Sequence, residues 1–189
     1  MKGELENIIS RIEELKQQKK RVIVAVDGRC ASGKTTLSKL LEDRLSCNVI
    51  HMDSFFLQPH QRTEQRLSVP GENVDHERFL SEVLIPLRSG KSFSYREYFC
   101  YSAEFSEPIF VCENDVTVIE GSYSCHPSLW DSYDLRIFVT TDKETQLSRI
   151  IERDGESYSK VFESKWIPLE EKYFSAYGIM QRCDIVVNT

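Results

Sequence analysis

Residues 28–35 narrow the possibilities most, because Gly28-Arg29-Cys30-Ala31-Ser32-Gly33-Lys34-Thr35 satisfies the spacing G-x-x-x-x-G-K-[ST]. The run RVIVAVDG leads into it, with the β-branched composition of a fully buried strand, and TTLSKLLEDRL follows with the composition of a helix. Strand, Gly-containing loop and helix in that order leave few folds open. The glycines let the backbone curl so that successive N–H groups face one anion, and the helix N-terminus adds the positive end of its dipole. Average residue usage would produce the pattern in about one random chain in a hundred, and the strand-loop-helix context lowers that further. Such a loop is built for a triphosphate. Gly28, Ala31, Ser32, Gly33, Lys34, Thr35 and Thr36 are the expected nucleotide-binding residues, with Lys34 reaching the β- and γ-phosphates and the Thr35 hydroxyl ligating Mg²⁺.

The rest of the chain alternates in the same way. Leu5, Ile8, Ile9, Ile12 and Leu15 recur at helical spacing and predict an amphipathic helix over about residues 3–19. NVIHMD predicts a second strand with Asp53 at its carboxyl end, and the stretch between Asp53 and Asp75 is polar, proline-containing and too irregular for one element. HERFLSEVLIPL predicts a helix stopped by Pro86 and Gly90, FSYREYFCYSAEF an extended segment, and PIFVCENDVTVIEG a turn followed by a buried strand ending at Glu120. DLRIFVT is a further strand, DKETQLSRIIERD a charged helix with Thr141 or Asp142 as N-cap, Tyr158 to Tyr177 a helix interrupted near Pro168, and CDIVVN a closing strand. The expected architecture is α/β: one domain over residues 1–189 with a mostly parallel sheet covered by helices on both faces.

Composition excludes several alternatives. A formal net charge of −6 opposes binding to a nucleic-acid polymer, which needs a surplus of Lys and Arg against the phosphates. No apolar run approaches the roughly 20 residues that cross a bilayer, and MKGELENIIS lacks a signal-peptide core, so a cytoplasmic protein without a membrane partner is expected. The six cysteines, at positions 30, 47, 100, 112, 125 and 183, form no CxxC pair and no Cys/His cluster at zinc-ligand spacing; reduced, mostly buried thiols are expected. Cys125 and His126 are adjacent, and adjacent residues on an extended chain face opposite ways, which makes them a poor nucleophile and base. Nothing in the sequence decides for or against a homo-oligomer.

Four further side chains carry chemistry. Asp53 lies at a strand's carboxyl end, where open α/β sheets bind ligands; it could accept the proton of an attacking hydroxyl and touch the metal shell, or simply cap the loop. Glu120 ends VTVIE and could serve Mg²⁺ through its water shell, the alternative being an ordinary strand-end acid. Arg149 and Arg153 lie four apart on a predicted helix, and so project from one face, either as a cationic lid over the transferring phosphoryl group or as a solvated face paired with Glu144 and Glu152.

GRCASGKTT, HMDSFF, NVDHERF, VIEGSY, RIIERD and CDIVVN, in that order and over most of the chain, resemble the uridine kinase and phosphoribulokinase-like branch of P-loop kinases. The resemblance implies a three-layer α/β/α P-loop fold with a five-stranded sheet, an acceptor region at about residues 53–105 and a helical lid at about 149–165. It implies an ATP- and Mg²⁺-dependent kinase of a small acceptor, most simply a nucleoside, with Lys34, Asp53, Arg149 and Arg153 catalytic, Thr35, Asp53 and Glu120 serving the metal, and Asp53 the base. Asp75 would hold ribose hydroxyls, since one carboxylate accepts two vicinal O–H donors, or would cap the following helix. Tyr95 resembles an acceptor-pocket tyrosine, but the His that follows it by five residues in pyrimidine nucleoside kinases is Cys100 here. Arg62 and Arg66 could contact an acceptor phosphate, which keeps nucleoside monophosphates, pantothenate and nicotinamide riboside open as acceptors. A nucleotide-dependent switch with only ATPase activity is the reading of another class; the N-K-x-D motif of a GTPase is absent.

Overall fold

The computed structural model describes residues 2–189. Its strands, in chain order, are β1 (Val22–Gly28), β2 (Asn48–His51), β3 (Phe93–Tyr95), β4 (Tyr98–Phe99), β5 (Glu104–Phe105), β6 (Ile109–Val111), β7 (Val116–Glu120), β8 (Leu135–Thr140) and β9 (Ile185–Asn188). The helices are α1 (Lys2–Gln18), α2 (Lys34–Leu45), α3 (Glu64–Ser68), α4 (His76–Phe79), α5 (Ile85–Ser89), α6 (Lys143–Asp154), α7 (Glu156–Val161), α8 (Ile167–Tyr177) and α9 (Ile179–Arg182). Five strands form one parallel sheet in the order β2-β7-β1-β8-β9, while β3 pairs with β6 and β4 with β5 as separate antiparallel ribbons.

Strand periodicity sorts β1 onto two cores. Val22, Val24 and Val26 pack with Leu5, Ile8 and Ile12 of α1 and Leu37 and Leu41 of α2. Ile23 and Ala25 face the other way, into a cluster with Phe55, Phe79, Val83, Phe138 and Tyr173. All seven residues of β1 are buried, as a central parallel strand covered on both faces requires. The three-layer α/β/α arrangement and its five-stranded parallel sheet follow the sequence expectation. Register places Glu120 of β7 beside Val26 of β1 and His51 of β2, so three carboxyl ends share one level.

Two expected helix breaks are resolved differently. The helix from His76 passes through Pro86 and ends only at Gly90, which adopts a left-handed φ of 72°. A π-helical turn at Leu80–Leu84 precedes the proline, and Pro168 likewise follows a π-helical turn, at Phe162–Trp166. A proline in an α-helix clashes with the carbonyl four residues back; widening the preceding turn relieves that contact without ending the helix. Among the described residues no helix is long and apolar enough to cross a membrane.

Candidate active site

The loop between β1 and α2 alternates its handedness. Gly28, Ala31 and Gly33 have φ of 139°, 55° and 92°, so neighbouring amides turn toward one side as in an anion-binding nest. A Cβ built on Gly28 would overlap the Val139 carbonyl of β8, which leaves glycine the only residue that fits there. Lys34 is buried at the first turn of α2, and its Nζ donates to the carbonyls of Gly28 and Arg29, each at 2.9 Å, and to Ser122 Oγ at 3.3 Å.

Chain-distant groups hold the loop. Cys30 N–H donates to Glu170 Oε2 at 2.9 Å and Ser122 Oγ–H to Glu170 Oε1 at 2.7 Å. The Arg29 guanidinium grips Glu171 at 2.6 and 3.1 Å and also donates to Thr140 Oγ1. Gln146 Nε2, from α6, donates to the Cys30 carbonyl at 3.0 Å, and Thr189 Oγ1 to that of Ser32 at 2.9 Å. Beneath the loop, fully buried Asp27 accepts from Gly28 N, Tyr123 N, Cys125 N and Tyr173 Oη at 2.7–3.1 Å. Burial pushes its carboxyl up to about 6, against the pull of these donors and of Lys34 in the other direction. Burial also pushes the Cys30 thiol up to about 12, making it an inert packing group.

Asp53 and Glu120 face the same region. Thr35 Oγ1 donates to Glu120 Oε1 at 3.2 Å, and His51 Nδ1 meets the other oxygen, Oε2, at 2.7 Å. Hydrogen bonding to Glu120 is the main cause of a raised His51 pKa. Asp53 lies on a short 3₁₀ turn, Met52–Phe55, and is exposed to the cavity; the protein walls around its carboxylate displace water and raise its pKa, with Lys34 opposing and Glu120 reinforcing the shift. Such a carboxylate is a stronger base than one in water. Hydroxyl and carboxylate oxygens are the hard donors Mg²⁺ takes, so Thr35, Glu120 and Asp53 fit that ion in chemistry and placement.

A cavity of about 1420 Å³ runs from this cluster outward, lined by Ala31, Gly33, Lys34, Thr35, Thr36, Asp53, Glu120, Arg149, Arg153 and Arg62 among the residues expected from sequence. Gly28 and Ser32 belong to its loop. Arg149 Nη1 donates to the Ala31 carbonyl at 3.3 Å and to Thr189 Oγ1 at 2.9 Å, while Arg153 holds neighbouring Asp154 at 2.8 and 2.9 Å and stacks on Phe162. Their bonds go to these groups and not to Glu144 or Glu152. Arg62 is fixed by its Nε on the Leu57 carbonyl at 2.9 Å, with Nη2 at 3.5 Å from Cys100 Sγ.

Three expected acceptor residues do not line this cavity. Tyr95 is buried against Phe55, 5.6 Å between ring centroids, where β3 pairs with β6; burial pushes its hydroxyl up to about 12. Asp75 is the N-cap of α4, accepting from Arg78 N at 3.0 Å and from Gln61 Nε2 at 2.8 Å, which gives its oxygens protein donors. Arg66 braces its own loop through the carbonyls of Glu72 and Val74 and the carboxylates of Glu72 and Glu77. Sequence reading passed over Asp27, Ser122 and Glu170. Asp27 carried the signal that marked Glu120, an acid ending a buried strand; Glu170, in a plain helical stretch, carried none.

Six cysteines are free; Cys30, Cys47 and Cys125 are buried, and Cys100 and Cys112 exposed, so burial of the thiols is only partial. Glu72, His76 and His126 also converge, within 4.8 Å of one another, although His126 lies far along the chain from the other two, which are four apart. The two rings stack at 4.2 Å, and Ser128 N–H donates to His126 Nδ1 at 3.2 Å, leaving the proton of the neutral His126 ring on Nε2. With that proton in place, His126 Nε2 offers no lone pair to a cation, and it lies 3.6 Å from Glu72 Oε1 without hydrogen bonding to it.

The family described as phosphoribulokinase / uridine kinase matches residues 23–187. Uridine kinase-like protein 5 of Arabidopsis thaliana is 34% identical over 149 residues, 72% of this chain but 31% of that protein. The uridine kinase of Macrococcus caseolyticus is 33% identical over 156 residues, 77% of this chain and 74% of its own length. Among solved structures, a possible uridine kinase from Bacillus stearothermophilus superposes with a TM-score of 0.62 at 19% identity, covering 96% of this chain and 99% of that one, a likeness of fold.

Proposed function

The chain belongs to the phosphoribulokinase / uridine kinase family, and on that premise we propose that it transfers the γ-phosphate of ATP to a hydroxyl of a small acceptor, most simply a nucleoside. The observation that carries this reading is the meeting of the loop lysine, the Thr35–Glu120 contact and the Asp53 carboxylate around one cavity. The loop amides and Lys34 bind and orient the triphosphate. Asp53 accepts the proton as the acceptor oxygen attacks, and Arg149 and Arg153 balance charge on the moving phosphoryl group. Thr35, Glu120 and Asp53 would hold Mg²⁺, which when bound neutralises charge on the phosphate oxygens. His51 keeps the Glu120 carboxylate turned, through the bond to Oε2. Tyr158, Phe162 and Trp166 of the proposed lid segment line the cavity wall, and closing them over a bound triphosphate would keep water from the transferring group. A cytoplasmic location, where ATP and Mg²⁺ are supplied, goes with this reading.

A second acceptor class has a specific observation in its favour. Arg62 lines the cavity with its Nε anchored, and no carboxylate stands within ion-pair distance among the described residues, which suits an acceptor with an anionic group such as pantothenate or a nucleoside monophosphate. Incubation with γ-labelled ATP and uridine, cytidine, nicotinamide riboside, pantothenate or nucleoside monophosphates tests both. Label should move to one acceptor class. Release to water alone, unchanged by every acceptor, would mark the chain as an ATPase switch.

A further inference from the structure

Glu170 is only 5% exposed and has no cationic side chain within salt-bridge distance among the described residues, although it lines the triphosphate end of the cavity. An acid desolvated beside an anion-binding loop opposes anion binding unless it does something else there. Its two oxygens do different work. Oε2 accepts the Cys30 amide, so that loop amide is committed to the protein. Oε1 accepts from Ser122 Oγ at 2.7 Å, against 3.3 Å from the same hydroxyl to the Gly28 carbonyl. A hydroxyl has one proton, and the shorter, charge-assisted bond takes it. With its proton committed to Glu170, Ser122 Oγ presents a lone pair to Lys34 Nζ, which lies 3.3 Å away.

From this chain of contacts we infer that Glu170 is a positioning residue that sets the phosphate-loop lysine through Ser122, tying the helix at the base of the lid to the group that grips the triphosphate. The element that carries Glu170, α8, begins where the π turn Phe162–Trp166 ends, and that turn supplies cavity wall. The neighbouring Glu171 holds Arg29 from the same helix. A shift of α8 therefore reaches Lys34 by a hydrogen-bonded path and the loop backbone by a second one.

The inference rests on the kinase reading for its kinetic arm but has a second arm that does not. With the acceptor found in the screen, Glu170→Ala and Ser122→Ala should each lower kcat/KM for ATP about 10- to 100-fold, the range of a charge-assisted hydrogen bond. The double variant should lie within about threefold of the worse single variant, because both changes cut one path. Glu170→Gln, which keeps an acceptor but offers an N–H to Ser122, should restore most of the Tm lost in Glu170→Ala without restoring kcat/KM. Affinity for β,γ-imido-ATP, measured by calorimetry with no acceptor present, should follow the same non-additive pattern. Effects that multiply in the double variant, or a Ser122→Ala protein with unchanged kcat/KM and unchanged analogue affinity, would overturn the inference. If no acceptor takes label but the analogue shows the pattern, the kinase reading fails and the positioning role stands. Ser122→Ala removes one oxygen near the surface of the cavity, so the outcome does not depend on the folding of the Glu170 variants.

Discussion

The two ends of the cavity are built on opposite plans. At the triphosphate end, nine consecutive residues, 28–36, set the shape themselves through their own φ angles, and distant groups such as Glu170, Gln146 and Thr189 only brace them. At the end we propose for the acceptor the wall comes from short pieces far apart in the chain: Phe56, Leu57 and Arg62, then Asn73, then Cys100. A local shape is a property of a motif and survives much change elsewhere. A wall assembled from loops depends on how each loop packs, which is where substrate choice can diverge within one fold.

The widest separation between the two ends should come from Asp53→Asn, at the border between them. Acceptor-dependent transfer should fall about 10²- to 10⁴-fold, with ATP-analogue affinity within about threefold of wild type. Transfer that survives would remove Asp53 as the base. Next in size, Gly28→Ala adds a methyl group against the Val139 carbonyl and should destabilise by about 3 kcal/mol or more in chemical denaturation. Gly155 has a φ of 84° but open space around its Cβ position, so Gly155→Ala should cost about 1 kcal/mol, which isolates the clash from the backbone conformation. Equal losses at the two positions would contradict the close approach of loop and β8.

At the acceptor end, Arg62 and Arg66 should part company. Arg62→Ala should raise the acceptor KM about 10-fold with Tm nearly unchanged, whereas Arg66→Ala should lower stability by about 1 kcal/mol with acceptor KM unchanged. The reverse outcome would exchange their roles. The smallest effect is chemical. At neutral pH, iodoacetamide should modify Cys100 and Cys112 in the native protein and reach Cys30, whose pKa is held near 12, only after unfolding.

The same contrast explains what could be read in advance. Alternating apolar runs placed the sheet and its flanking helices, and Gly28 to Thr36, Asp53, Glu120, Arg149 and Arg153 were legible because each lies at a fixed offset from a strand end or on one helix face. Resemblance of motif points Tyr95 and Asp75 to the acceptor; the packing of β3 on Phe55 gives Tyr95 another neighbour, and Asp75 makes the N-cap bond to Arg78 that the sequence offered as its alternative. Arg62 and Arg66 are the same residue type four apart; only tertiary contacts separate a cavity cation from a loop brace. Glu170 could not be found because its partners lie 140 and 48 residues away.

Each π turn ahead of a proline stores one residue more than the helix's axial travel needs. Deleting a single residue within Phe162–Trp166 can therefore be absorbed by relaxing to ordinary α geometry, with the rest of α8 kept in rotational phase, and the same holds for Leu80–Leu84. Because Phe162, Ser164, Lys165 and Trp166 line the cavity, the wall on that side can shorten by one position while the phosphate-loop end of the cavity keeps its shape.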